Sequence, residues 1–379
     1  MNAPKLRFKE FSDEWKKAKL SSFVNINPKN NSLPDKFIYI DLESVNNGLL
    51  TSRKIVNKSE APSRAQRTII KNDILYQTVR PYQMNNLFIN SLDSDYPYIA
   101  STGYALLRTK ENPYFVYSIL YQKSFVNKVL DMCTGTSYPA ISANDLGTIS
   151  ICLPSIKEQE KIGKTLSLLD KKIELQTKKI EDLKLFKLYT KNQIFKDYDE
   201  SFKLKDILVK WNKKNKNNSV KYVESISNKY GFISQSDQFE DRNVASKDLN
   251  NYYIIEKGVF GYNPSRLNVG SLALKTNDKV SVVSPLYECF TTSQNNQYLL
   301  EWFDSKYFRK ETISKFEGGV RNTLNFSNLC EIEIGLPTIE KQNMYSKIFK
   351  IFNNKIEFEV KKLYKLQELK KGLLQSMFV

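Results

Sequence analysis

The sequence predicts an α+β protein: two pseudo-repeated mixed α/β domains, each followed by a long helix, the two helices forming an antiparallel coiled coil. Three observations predict this. The phrase "LPSIKEQ" at 153–159 returns as "LPTIEKQ" at 336–342, an offset of 183 (336 less 153) in a chain of 379 residues. The same offset aligns far more than the phrase, which is the signature of an internal duplication. A heptad stripe of apolar residues runs downstream of both copies.

The duplication is best read along the chain. "AISANDLGTISICLPSIKEQ" (140–159) lies on "TLNFSNLCEIEIGLPTIEKQ" (323–342) without a gap. "KKIELQTKKIEDLK" (171–184) lies on "NKIEFEVKKLYKLQ" (354–367) in the same register. Upstream, "YIDLESVNNGLLTS" (39–52) faces "YVESISNKYGFISQ" (222–235), with Gly48 on Gly231. Four segments follow: a first domain at 1–153, a helix at 154–197, a second domain at 198–336 and a second helix at 337–379.

In the first domain, "KFIYIDL" (36–42) and "TIIKNDILYQTV" (68–79) have strand composition, and "PYFVYSILYQKSFVNKVLDM" (113–132) reads as a helix. The second domain repeats the order with strands at 220–226, 252–262 and 279–290, then a helix at 296–316. Both domains close on a glycine-containing loop, "GTSYPA" (135–140) and "EGGVRNT" (317–323). In the first long helix, Ser155 fits the N-cap with Glu158 as its capping-box partner. The seam runs through Ile162, Leu166, Leu169, Ile173, Gln176, Ile180 and Leu183. The second helix supplies Tyr345, Phe349, Phe352, Ile356, Glu359, Leu363 and Leu366, so that Gln176 and Glu359 fall at the one polar position of each seam. About 40 residues make a helix of roughly 60 Å. Two similar stripes in one chain most simply pack on each other, antiparallel, with a domain at each end of a rod. The alternatives are packing of each helix on its own domain, or a coiled coil between chains.

Composition bounds the chemistry. Lys and Arg number 58 against 41 Asp and Glu, a net charge of +17 that favours a polyanionic partner such as nucleic acid. Lysine- and asparagine-rich stretches such as "WNKKNKNN" (211–218) also read as compositional bias. The chain contains no histidine, and its four cysteines (Cys133, Cys152, Cys289, Cys330) form no CxxC. The usual zinc sets, Ser-His-Asp triads and histidine bases are thereby excluded. No phosphate-binding P-loop or GxGxxG is present. "YNPSR" (262–266) falls short of an adenine-methyltransferase motif, lacking its second proline and its aromatic residue. A non-catalytic protein is expected, with no metal. No apolar run reaches the roughly 18 residues of a membrane span, and the opening "MNAPKLRFKEFSDEWKK" has no apolar signal core, so the expected location is the cytoplasm.

Basic and aromatic residues follow the strands at corresponding places, in "YQTVRPYQ" (76–83) and "GYNPSRLN" (261–268). Arginine forks onto guanine, and asparagine or glutamine onto adenine. The candidate DNA contacts are Arg53, Arg64, Arg80, Tyr82, Gln83, Thr136, Ser137 and Tyr138 in the first domain. Those in the second are Arg242, Asn263, Ser265, Arg266, Arg321 and Asn322.

The whole arrangement resembles the specificity (S) subunit of type I restriction–modification enzymes. The resemblance rests on "LPSIKEQEKIGKTLSLLDKKIE" (153–174), "LPTIEKQ" (336–342) and the opening "FSDEWKKAKLSSF" (11–23), and covers essentially the whole chain. Leu-Pro-Ser and Leu-Pro-Thr stand where the family often has two prolines. The resemblance implies that the domains are target recognition domains, each reading half of an asymmetric, bipartite site in double-stranded DNA. It implies that the helices are the spacer and dock two adenine-methylating modification subunits, joined by motor-nuclease restriction subunits. S-adenosylmethionine, ATP and Mg belong to those partners, and this chain contributes no catalytic residue. An orphan or phase-variable specificity subunit fits the same pattern; a non-catalytic coiled-coil scaffold is the alternative outside the family.

Overall fold

The computed structural model describes residues 3–29, 32–228, 230–235, 248–313, 315 and 323–379. By its internal contacts the chain forms two units, Met1–Lys178 with Lys361–Val379, and Lys179–Val360. The division runs through both long helices rather than at their ends.

In the first unit, strand Lys16–Lys19 pairs antiparallel with Ser150–Leu153. Two four-stranded sheets follow. One has the order Val24–Ile26, Tyr104–Thr109, Ile74–Gln77, Leu87–Phe88; the other has Lys54–Asn57, Lys36–Ile40, Tyr98–Ser101, Ala65–Thr68. Alternation along strand 74–77 serves two cores, as a pleated strand buried on both faces must. Leu75 packs with Ile38, Ile40 and Leu87. Ile74 and Tyr76 pack with Trp15, Leu20 and Phe115. Helices α1 (Pro113–Ile119), α2 (Lys123–Asp131) and α3 (Ala143–Thr148) cover that second core, and α4 runs from Ile156 to Ile194.

The second unit repeats the plan. Strand Glu200–Lys203 pairs with Glu333–Leu336. The sheet Leu208–Lys210, Glu288–Thr292, Phe260–Tyr262, Leu272–Leu274 has the order of the first sheet above. The other sheet is represented by the pairs 253–255/281–283 and 224–227/231–234. A parallel bridge between Val223 and Val282 corresponds to the parallel pairing of Ile38 with Tyr98. Helices α5 (Asn296–Phe303), α6 (Lys306–Ile313) and α7 (Phe326–Cys330) precede α8 (Ile339–Ser376).

Several single elements of the sequence reading are two in the structure. The stretch 68–79 splits because Asn72 takes φ +69 and the Asp73 carboxylate accepts from the Ile70 amide at 2.8 Å, which makes a turn. The stretch 252–262 splits at Gly258, φ +92. A turn closed by the Tyr287 amide on the Ser284 carbonyl divides 279–290. The helix read at 113–132 breaks at Gln122, whose backbone is extended and whose side chain donates to the Leu374 carbonyl of α8. The one read at 296–316 breaks at Ser305, whose hydroxyl accepts from the Phe308 amide.

The repeated phrase has a structural explanation. Its glutamine, Gln159 or Gln342, is buried at the start of the long helix. Gln159 accepts from the Asn112 amide at 3.2 Å and donates to the Pro154 carbonyl at 3.1 Å. Gln342 accepts from the Asn295 amide at 3.1 Å and donates to the Pro337 carbonyl at 2.9 Å. Asn112 and Asn295 are the N-caps of α1 and α5. The phrase therefore locks the start of each long helix to the cap of a shorter one. One turn on, Gly163 faces Asn112, and a Cβ there would sit 2.4 Å from its side-chain oxygen; the equivalent Ser346 instead donates to Asn295 at 2.6 Å. The capping box forms only in part. The Glu158 amide reaches the Ser155 hydroxyl at 3.4 Å, but its carboxylate is held by Arg7 through two contacts of 2.8 Å.

Cross-helix contacts run antiparallel within each unit. In the first, Asp170 meets Lys370 at 2.6 Å. In the second, Lys179 meets Glu359 at 2.7 Å, Phe186 meets Phe352 with ring centres 5.5 Å apart, and Lys187 meets Asn353 at 2.7 Å. Ile162, Leu166, Leu169, Gln176, Ile180, Phe349 and Glu359 are buried; Ile173, Leu183, Tyr345, Phe352, Ile356, Leu363 and Leu366 are half-buried.

Candidate nucleic-acid interface

Strand register gathers the candidate residues of the first unit at one end of its sheets. The turn after Ser101 leaves one sheet and enters the other at Tyr104. Ser101 pairs with Ala65, which places Arg64 there; the Thr102 amide donates to the Arg64 carbonyl at 2.9 Å. Tyr39 pairs with Lys54, which brings Arg53 to the same end. Tyr104 pairs with Gln77, so residues 78–83 emerge beside the turn, and the Thr78 amide donates to the Gly103 carbonyl at 3.0 Å.

Arg80 has φ +54 and ψ +55, a left-handed conformation uncommon outside glycine and asparagine. It caps a single 3₁₀ turn, Pro81–Gln83, and Met84 beyond it is left-handed as well. The glycine loop secures this turn. Arg80 N–H donates to the Pro139 carbonyl at 2.7 Å, Ile141 N–H to the Thr78 carbonyl at 3.1 Å, and Val79 bridges Ala140. Gly135, φ +92, has no room for a side chain against the Tyr138 carbonyl. The Arg80 guanidinium lies over the Tyr138 ring at 4.3 Å. Tyr82, Gln83, Thr136, Ser137 and Tyr138 are exposed around it. The structure thus brings Arg80, Tyr82, Gln83 and Thr136–Tyr138 into one cluster.

Arg53 and Arg64 are also exposed, but Arg53 pairs with Asp93 at 3.0 Å. That contact raises the Arg53 pKa and holds the Asp93 carboxyl below its ordinary value, so both stay charged and largely cancel.

In the second unit, Asn263 caps a 3₁₀ turn over Pro264–Val269, accepting from the Ser265 amide at 3.0 Å. Ser265 and Arg266 are exposed on that turn, and the Leu324 amide donates to the Pro264 carbonyl at 3.1 Å. Leu324 is the repeat equivalent of Ile141, so in both units the residue at this repeat position donates its amide to the segment that follows the strand. Asn263 is engaged as a cap on its carbonyl side. Arg242, Arg321 and Asn322 lie outside the described residues.

Sequence reasoning missed Gln77, the buried amide beneath the first cluster; nothing in its strand context marks it. It also missed Arg67, mid-strand in Ala65–Thr68. Burial lowers the Arg67 pKa, and its Nε has no hydrogen-bond partner among the described residues. Two lysine–tyrosine pairs of the second unit, Lys214 over Tyr253 and Lys279 over Tyr222, were hidden in lysine-rich surroundings. Among the described residues no group of His, Cys, Asp and Glu could hold a metal, and no helix is long and apolar enough to cross a membrane.

Residues 12–185 match the type I restriction modification DNA specificity domain. The chain is 29% identical over 147 residues to the Type I restriction enzyme HindI specificity subunit of Haemophilus influenzae, covering 37% of this chain and 31% of that protein. It is 23% identical over 300 residues to the MjaVIII specificity subunit of Methanocaldococcus jannaschii, covering 70% of this chain and 68% of that one. In fold it is similar to the type I restriction–modification S subunit from M. genitalium, with TM-score 0.60 at 16% identity over 100% of this chain and 99% of that one. A second solved chain, from work on complex assembly and conformational transition of the type I R-M system, gives TM-score 0.56 at 19% identity over 96% and 97%. The chain thus carries, over residues 12–185, a match to the type I restriction modification DNA specificity domain, and it shares its fold with the S subunit from M. genitalium.

Proposed function

We propose that this chain is the DNA sequence-specificity subunit of a type I restriction–modification complex and that its two units each read one half of a split site. The observation that carries this reading is the recurrence, after the same strand of both units, of a 3₁₀ turn that bears an arginine: half-buried Arg80 at the cap of the first turn, and exposed Arg266 within the second, where Asn263 is the cap. The side chains around them differ, with Tyr82 and Gln83 on one side and Asn263 and Ser265 on the other, so the two half-sites differ and the whole site is asymmetric. Lysine and arginine contacts to phosphate supply affinity, and the few loop residues supply sequence. The net charge of +17 supports a polyanionic partner.

The chain performs no chemistry in this reading. It docks two adenine-methyltransferase subunits, and the motor-nuclease subunits join them; S-adenosylmethionine, ATP and Mg are bound by those partners. Support comes from a second apolar stripe off the seam. Leu168 and Leu175 on α4 and Leu369 on α8 are exposed, and so are their repeat equivalents Ile351, Phe358 and Phe186. Large apolar side chains repeated on solvent-facing positions mark a partner surface. Its duplication suits two copies of one partner.

The test is a long-read methylation map of cells with and without the gene. Loss of one split, asymmetric adenine-methylation motif is expected. An unchanged map, with the modification subunits present, rejects the reading.

A further inference from the structure

Resting on that reading, we propose that Arg80 reads a guanine in the major groove, and that the half-site of the first unit therefore contains one. The argument is about which hydrogen-bonding groups the cluster can present. Arg80 offers donors only. Its backbone is fixed by the Pro139 carbonyl and by the Gln83 amide, which donates to the Arg80 carbonyl at 3.0 Å. Its guanidinium lies over the Tyr138 ring and forms no ion pair among the described residues, so the planar fork is positioned before any ligand arrives.

Gln83 adds to the donor set. Beneath it, buried Gln77 donates from Nε2 to the Val79 carbonyl at 2.8 Å and accepts at Oε1 from the Asn85 amide at 3.1 Å. Those backbone groups have fixed polarity, so they determine which end of the Gln77 amide is nitrogen. Gln77 Nε2 also donates to Gln83 Oε1 at 2.8 Å. Gln83 therefore turns its carbonyl inwards and its NH2 outwards. A cluster of arginine fork and amide donors matches the one base edge that offers two adjacent acceptors, O6 and N7 of guanine.

The experiment uses the full chain assembled with its modification subunits. The probe is a duplex carrying the mapped motif, with one guanine at a time replaced by 7-deazaguanine, which lacks the N7 acceptor. The wild-type complex is expected to lose roughly tenfold in affinity at one guanine of one half-site. Arg80→Lys, which keeps the charge but loses the planar fork, is expected to bind the natural duplex more weakly and to be insensitive to that replacement. Arg80→Ala should behave likewise. Equal weakening of every duplex by the variants, with the wild-type sensitivity retained, identifies a phosphate contact and overturns the proposal. A gene-dependent motif with no guanine in either half overturns it while leaving the specificity role intact. A map unaltered by loss of the gene removes the role and the proposal together.

Discussion

Gln159 and Gln342 show what a repeated residue can and cannot reveal. Their recurrence was plain in the sequence, yet their partners, Asn112 and Asn295, lie 47 residues upstream, beyond the reach of local pattern. Replacing either glutamine by alanine leaves a buried amide N–H and a proline carbonyl without partners, a loss of about 1–3 kcal/mol each. Urea unfolding should show a lower midpoint at unchanged slope for Gln342→Ala; an unshifted midpoint would count against the clamp. Cysteine gives a second residue-scale expectation. Burial, reinforced by the neighbouring Glu288 charge, pushes the Cys289 thiol up to about 12. A raised thiol pKa means the neutral form persists below it, so at pH 8 Cys289 is protonated as well as enclosed. Alkylation followed by mass spectrometry should label half-exposed Cys152 in the native chain and Cys289 only after unfolding. Comparable native labelling of both would contradict the burial.

At the scale of elements, the long helices were legible because a heptad seam is a strong periodic signal, and the polar pair Gln176 and Glu359 was visible as a break in it. The strands were less legible. Runs such as 68–79 have uniform strand composition, and only side-chain capping by Asp73 and a positive φ at Asn72 divide them. The seam also gave no warning of Lys191, which lies off it and is buried with Glu301 in the second unit. Lys191 Nζ is 3.3 Å from the Glu301 carboxylate and 2.8 Å from that of Asp304, while Lys187 reaches Glu301 at 2.9 Å. Removing one partner of a buried pair costs roughly 3–5 kcal/mol, mostly because the other is stranded. Lys187 remains beside Glu301, so Lys191→Met should fall at the lower end of that range. Adding Glu301→Leu should recover much of the loss. A double variant less stable than Lys191→Met alone would mean that the pair contributes more than it costs to bury, contrary to this reading.

The whole molecule carries one feature that no local pattern contained: the two ends of the described chain meet within the first unit. Trp15 packs edge-on to Phe378, Phe378 stacks on Phe115 with ring centres 5.3 Å apart, and the Leu6 amide donates to the Ser376 carbonyl. Gln122 donates to the Leu374 carbonyl beside them. The duplication made the fold class legible, and the basic loops were legible as candidates because both copies place them after the same strand. This closure was not, since it joins residues with no shared period. It governs how the specificity model should be tested by exchange. Replacing residues 14–152 with another such domain should change one half-site in the methylation map and leave the other as it was. The graft must preserve the counterparts of Trp15, Phe115 and Gln122, because the end of α8 supplies Leu374, and the residues just after it supply Met377 and Phe378, to the core or rim of that unit. Burying a Phe side chain contributes about 1.5–3 kcal/mol, so a graft without its acceptors should fail to methylate at all while one that keeps them should methylate a hybrid site. Simultaneous alteration of both half-sites by the compatible graft would mean that the two units do not read independently, and the two-reader model would fall.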